Sequence, residues 1–204
     1  MHCSIIMKTS WLDAFDGLDY LSEAAEKAQS KIAKMDSKEE TQDNASDFPA
    51  ILDSCCGSRS FWFDKNDKRA LFVDKRRGIY PIVHSDRPRN PVVVQPDCNA
   101  SFTNLPFPSD SFYHVVFDPP HLVNSSASGN IAKYYGVLGE NWRDELRNGL
   151  AECFRVLRKG GTLIFKWNEA NIPIKEILAL TTKKPLYGHK SGKASNTHWV
   201  VFLK

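Results

Sequence analysis

The stretch HVVFDPPH, residues 114–121, decides how the rest of the chain reads. An apolar strand running from His114 ends at Asp118, and Pro119 and Pro120 then donate no backbone hydrogen bonds and fix the direction of the chain. The flat ring of His121 follows. A carboxylate beside the Pro119 carbonyl gives two acceptors for an exocyclic amine, and a planar group can stack on the imidazole. Taken alone, Asp before a proline pair is also an ordinary strand stop.

Upstream, ILDSCCG (51–57) ends a strand in Asp53. It passes at once into Ser54, Cys55, Cys56 and Gly57, small residues that let the backbone approach a ligand. ALFVD then sets Asp74 at the end of the next strand, 21 residues after Asp53. A carboxylate about 20 residues on is where a nucleotide ribose is hydrogen-bonded. Each acid has a plainer reading, Asp53 as a turn residue and Asp74 as a partner of Lys75 or Arg76. With Asp118 third in line, the three acids mark the ligand edge of an open α/β sheet.

Short apolar runs alternate with polar and helical stretches from Phe48 onward, and strands are expected at 50–53, 70–74, 92–95, 114–118, 161–167 and 197–203. This pattern predicts an α/β domain on a mostly parallel sheet. In WRDELRNGLAECFRVLRKGG, Leu146, Leu150, Cys153, Phe154 and Leu157 share one helical face, with Gly160 and Gly161 as its stop. Residues 172–180 offer a shorter helix. Three prolines in residues 75–91 predict a loop or short hairpin instead of a crossover helix.

The first 47 residues differ from the rest. From a Ser10 cap, Trp11, Ala14, Leu18, Leu21, Ala25, Ala28, Ile32 and Met35 recur at helical spacing, and 37–47 read as a polar linker. This arm carries ten acidic groups against five lysines, a net of −5, whereas 48–204 hold 22 Lys and Arg against 14 Asp and Glu, a net of +8. A basic body suits a polyanionic partner, though the same excess can be a solvated face. Five cysteines in 204 residues are too few for a disulfide framework, so a reducing, cytoplasmic setting is expected. No apolar run reaches the ~20 residues that span a bilayer, and no secretory leader is legible, so no membrane partner is expected. The histidines are not at paired ligand spacings and no CxxC or HExxH occurs, which predicts no metal site.

These motifs, in this order, resemble the class I S-adenosylmethionine (SAM)-dependent methyltransferases, in particular the amino-methyltransferases with a DPPY-type motif, over about residues 48–204. ILDSCCG resembles the first SAM motif, VD at 73–74 the ribose-binding acid, and PDCNASFTNLPFPSDSFYHVVFDPPH (96–121) the third and fourth motifs together. LRKGGTLIFKW (157–167) matches helix end, glycine turn and fifth strand, and THWVVFLK (197–204) the antiparallel closing strand. The resemblance implies a Rossmann-like sheet, mostly parallel with an antiparallel C-terminal strand and helices on both faces. It also implies SAM as cofactor, held by Asp53, Ser54, Cys55, Cys56, Gly57 and Asp74, with Asp97 and Cys98 at the adenine ring. Asp118 becomes the orienting acceptor, Pro119 and Pro120 its rigid continuation, and His121 the stacking partner. Two positions differ from the usual pattern: Gly57 stands alone where three spaced glycines are common, and His121 replaces an aromatic residue.

Candidates for substrate contact are Phe61 and Trp62 in SRSFWF, Lys166 and Trp167 in FKWNE, and His189 and Lys190 in GHKSGKASNTHW. Lys166 and Glu169 also read as a local ion pair, and residues 188–193 as a mobile basic loop or a solvated turn. The leading expectation is methyl transfer to a nucleobase amine, adenine N6 in DNA first. RNA, a protein amide or a small molecule are the alternative acceptors, and a SAM-binding or partner-binding module without turnover is a third reading. A body this short leaves little room to read a target sequence, so specificity is expected to be low or supplied by a helper protein; self-association through the N-terminal helix is a further partner expectation.

Overall fold

In the computed structural model the described residues are 48–83, 87, 89–123, 129–192 and 195–204. The expected arm and linker, and Lys193 of the basic loop, lie outside them. Nine strands run in chain order: β1 Ile51–Asp53, β2 Ala70–Asp74, β3 Gly78–Tyr80, β4 Val92–Val94, β5 Cys98–Asn99, β6 Phe112–Phe117, β7 Leu157–Asn168, β8 Tyr187–Lys190 and β9 Thr197–Leu203. The described helices are α1 Asn130–Tyr135, α2 Trp142–Val156 and α3 Ile174–Leu178. No described helix is long and apolar enough to cross a membrane.

Seven strands form the main sheet in the order β5-β2-β1-β6-β7-β9-β8. The pairs β5-β2, β2-β1, β1-β6 and β6-β7 are parallel, and β9 is antiparallel to both its neighbours. This is the mostly parallel sheet with an antiparallel closing strand that the motif order implied. The chain works outward from β1 to β2 and β5, then returns to place β6 on the other side of β1. A crevice therefore opens between the carboxyl ends of β1 and β6, where open α/β sheets bind ligands. The register Asp53↔Val116 brings Asp118 to the same edge as Asp53.

One face of the sheet is sealed by α2, whose Leu146, Leu150, Cys153 and Phe154 are buried against Leu52, Val115, Phe117, Leu163, Phe165 and Phe202. Asp144 and Glu145 in its first turn complement the positive end of the helix dipole. The contact is close enough that a Cβ on Gly149 would sit 2.6 Å from Phe102 and 2.8 Å from Phe117. Any larger side chain there forces the two rings apart, at a cost of about 1–3 kcal/mol.

Two expectations need correction. The helix does not run to a glycine stop: it ends at Val156, and the chain enters β7 directly at Leu157, which pairs with Phe112. The next registered pair is His114↔Thr162, so residues 158–161 bulge out of the ladder. The glycines serve that bulge, because Gly160 has φ +78° and a Cβ on Gly161 would lie 2.8 Å from the Tyr113 carbonyl. The run at 92–95 is a strand, but it does not join the main sheet. Val92–Val94 pairs antiparallel with Gly78–Tyr80 in a separate two-stranded ribbon, so the loop or short hairpin expected within 75–91 gives way to a hairpin whose second strand lies beyond that stretch. Pro91 and Pro96 cannot donate to a ladder, and the outer place beside β2 goes to Cys98–Asn99.

Candidate functional site

Asp53 ends β1 with its side chain fully buried. The Trp62 indole Nε1–H donates to Oδ2 at 2.8 Å, and the Cys55 amide donates to Oδ1 at 3.3 Å. Both donors are neutral. Burial, with Asp118 and Asp74 nearby, pushes the carboxyl up from 3.8 to about 7 against those two bonds. The bond from Trp62 also anchors the SRSFWF loop, whose Trp62 ring meets Phe72 edge-on at 4.8 Å. Ser54 and Cys56 point into structure. The Ser54 hydroxyl donates to the Val116 carbonyl, and Cys56 is buried beside Phe72.

Asp74 ends β2 and is held from two sides. The Gly57 amide donates to Oδ2 at 2.9 Å and the Arg76 amide to Oδ1 at 2.7 Å, with the Arg76 guanidinium 3.4 Å away. Gly57 makes this turn at φ +52°, a conformation that disfavours side chains. A cavity of about 220 Å³ opens beside Asp74, lined among others by Cys55, Arg76, Phe102, Pro120 and Tyr135. Asp97 is not part of it. Its carboxylate takes a hydrogen bond from Arg59 at 2.9 Å and from the Phe72 amide at 3.1 Å, and it lines a separate open groove of about 690 Å³ with Arg59, Lys65 and Tyr134. Cys98 is half-buried against the core.

Asp118 follows β6 and has a charged partner. Lys166 Nζ, from β7, stands 2.6 Å from Asp118 Oδ2, with about a fifth of each side chain exposed. Burial raises the Asp118 carboxyl and Lys166 opposes the rise. Lys166 Nζ stands near two aromatic rings that touch each other, 5.5 Å from the centroid of Phe61 and 5.6 Å from that of Trp199. Trp199 sits directly across the β7–β9 ladder from Lys166. His121 is half-buried with its ring 5.2 Å from Tyr135, and burial and the Lys166 charge hold it below the usual imidazole range. Neutral His121 is therefore the form present near pH 7.

Thus Asp53, Cys55, Asp74, Asp118, Pro120, His121, Phe61, Trp62 and Lys166 gather at one edge. Trp167 does not: it is fully buried in the core, and its indole donates to the Ile172 carbonyl. The pairing anticipated within FKWNE is also different, because Lys166 binds Asp118 whereas Glu169 binds Lys190 at 2.8 Å. His189 is exposed on the edge strand β8, in register with Trp199. Among the described residues no group of three His, Cys, Asp or Glu side chains is placed to hold a metal ion. Sequence reasoning missed Phe102, Tyr135 and the cavity role of Arg76. Only Arg76, two residues after the Asp74 strand end, carried a local signal.

No family model and no curated protein matches the chain. Among solved structures it is similar to the PH0226 protein of Pyrococcus horikoshii, with a TM-score of 0.47 and 14% identity over 86% of this chain and 90% of that one. A SAM-dependent methyltransferase of the DUF858 family from Leishmania major gives 0.44 and 12% over 79% of this chain and 66% of that one. The [4+2]-cyclase SpnF gives 0.31 and 14% over 70% and 55%. All three fall below a TM-score of 0.5, so the chemistry of the site rests on this chain's own residues.

Proposed function

We propose that the chain transfers a methyl group from SAM to an exocyclic amine of a nucleobase, adenine N6 in DNA foremost. The observation that carries this reading is Asp118: a partly buried carboxylate at the β1/β6 crevice, followed by two prolines, one of which lines the Asp74 cavity. The residues present fit SAM. Asp118 and Asp74 are near enough to raise Asp53, all three raise the Cys55 thiol, and among the described residues Asp53 is bonded only by neutral donors. Asp53, the acid without a cationic partner among the described residues, is held partly protonated by burial, and a ligand carrying a sulfonium and an ammonium favours its ionised form. Asp74 would take the ribose, Phe102 and Arg76 the adenosine side of the cavity, and Cys55 the turn toward the methionine.

SAM supplies an electrophilic methyl, so an N–C bond forms as the C–S bond breaks. The protein's part is orientation and charge. Asp118 Oδ1 accepts an N–H of the amine and draws the nitrogen lone pair out of conjugation, while Phe61, Trp199 and neutral His121 offer flat surfaces for the base. After transfer the surplus proton leaves through Asp118 to water. The surplus of Lys and Arg from residue 48 onward, net +8, suits a phosphate backbone. The test is purified protein with labelled SAM and, separately, DNA, RNA and protein, followed by digestion to nucleosides. Label in N6-methyladenine from DNA is the expected result, and no label in any nucleic acid overturns the reading.

A further inference from the structure

We infer that Asp118 and Lys166 act as one reading head for an amine with a hydrogen-bond acceptor on the neighbouring ring atom. Asp118 Oδ1 takes the amine N–H and the Lys166 ammonium donates to the adjacent ring nitrogen. The substrate is then an amidine-type base edge, N6 with N1 of adenine or N4 with N3 of cytosine. This deepens the nucleobase reading above and rests on it.

The inference follows from hydrogen-bond capacity. A Lys ammonium has three donors and a carboxylate about four acceptor sites. Among the described residues the sole hydrogen bond of Lys166 is the one to Asp118 Oδ2, and Asp118 Oδ1 accepts none. Two donors on Nζ and the Oδ1 oxygen are thus left over on one ion pair, whose bonded atoms Nζ and Oδ2 stand 2.6 Å apart. Oδ1 shares its carboxylate with Oδ2, so the free oxygen and the free ammonium donors are close neighbours, and one edge bearing adjacent donor and acceptor atoms satisfies both. An amine on saturated carbon cannot, because it has no acceptor for Lys166 and as an ammonium is repelled by it.

The surroundings keep the head in place. Phe61 and Trp199 meet each other edge-on at 6.0 Å, and the ammonium stands 5.5 and 5.6 Å from their centroids, so both rings wall the same side of the pair. Trp62, next in the chain to Phe61, is tied to Asp53, which fixes that wall from behind. Aromatic walls favour a planar base over a flexible side-chain amide, although an amide offers the same pair of atoms.

The experiment uses the full chain and oligonucleotides of the kind it methylates, carrying adenine, 1-deazaadenine or 7-deazaadenine at the target, or cytosine and 3-deazacytosine if the product is a methylcytosine. Replacing the ring nitrogen beside the amine by C–H should lower kcat/KM by roughly 10- to 100-fold. Losing the remote N7 should change it less than about threefold. In Lys166→Met the penalty for 1-deazaadenine should shrink to near unity while the parent base itself becomes a poorer substrate. The wild-type comparison of the deaza bases stands even if the variant does not fold. Equal methylation of adenine and 1-deazaadenine, or a penalty that persists in Lys166→Met, overturns the inference alone. Transfer to protein amides and to no base overturns both it and the reading it rests on.

Discussion

Asp53 and Asp118 stand at the ends of two adjacent parallel strands, both withdrawn from water, yet their settings are opposite. Among the described residues Asp53 receives only neutral donors, the Trp62 indole and the Cys55 amide, and its carboxyl sits at about 7. Asp118 has an ammonium at 2.6 Å that works against the same desolvation. The difference separates two tasks. An acid left without a cation is a standing place for a cationic ligand, and one already paired is a fixed acceptor whose charge does not depend on what is bound. The same edge thus holds one carboxylate tuned to the cofactor and one tuned to the acceptor.

The largest effect expected from breaking this comparison is on the chemistry. Asp118→Ala should lower methyl transfer about 10²- to 10³-fold by removing the acceptor that orients the amine, with SAM affinity by calorimetry within about threefold of wild type. Loss of SAM binding in step with activity would move Asp118 into the cofactor site. Next comes Lys166→Met. Activity requires the Asp118 carboxylate and fails as pH falls through its pKa, and Lys166 is what holds that pKa down against burial. Of the neighbouring groups, Asp53 is another acid, and His121 loses the Lys166 charge that helps to hold it neutral, so an imidazolium formed at low pH restores only part of the lost charge. The acid limb of the kcat/KM profile should move to higher pH, with a loss of roughly 10- to 100-fold at pH 6 that is smaller at pH 9. An unmoved limb would mean that Lys166 does not set the charge of Asp118.

Much of this edge is legible in the sequence, and for a physical reason. Strand ends that carry acids, prolines and small residues are local signals, and ILDSCCG, ALFVD and HVVFDPPH each declare a strand and its ligand-side terminus within a few residues. The closing strand at 197–203 was equally legible from its apolar run. What could not be read were choices made across the chain. Lys166 and Glu169 lie three apart in sequence, but the strand pleat and the neighbouring β6 decide that Lys166 reaches Asp118 instead. Trp167 and Lys166 are adjacent, and the same pleat sends one into the core and the other to the site. The bulge at 158–161 was hidden because a Gly-Gly pair after a helical run signals a cap as readily as a kink. Asp97 was claimed by Arg59, 38 residues earlier, through a loop whose path no local pattern records.

A third expected effect concerns stability and the sign of its pH dependence. The folded carboxyl of Asp53, at about 7, lies above its ordinary value of 3.8. The native state therefore binds this proton more tightly than the unfolded chain, and stability contributed by the group is lost as pH rises from about 4 to about 7. The displacement corresponds to roughly 4 kcal/mol at most. Asp53→Asn removes it and gives up one acceptor, so in the absence of SAM the variant should be more stable than wild type by about 1–3 kcal/mol at pH 8. The advantage should vanish toward pH 4. Denaturant titrations at both pH values measure this, and parallel pH curves for the two proteins would show that Asp53 is not the buried acid described. SAM, whose cationic groups favour the ionised acid, should displace the proton: binding near pH 6.5 should release protons in wild type and fewer in Asp53→Asn, read from the buffer dependence of the calorimetric heat.

The smallest effect tests what Trp62 contributes. Trp62→Phe keeps a ring against Phe72 but removes the N–H that reaches Asp53 Oδ2. A hydrogen bond to an ionised acceptor is worth more than one to a neutral acid, so the loss should be about 2 kcal/mol at pH 8, where Asp53 is ionised, and about 1 kcal/mol at pH 5, where it holds its proton. With a donor gone, the Asp53 carboxyl rises further and the pH-dependent span of the stability curve moves up with it. In an Asp53→Asn background no ionised partner is left, so the same Trp62→Phe change should cost the same at both pH values. A cost independent of pH in the parent protein would reduce Trp62 to a packing residue and leave Asp53 held by the Cys55 amide alone, which would weaken the contrast with Asp118 from the side of the cofactor.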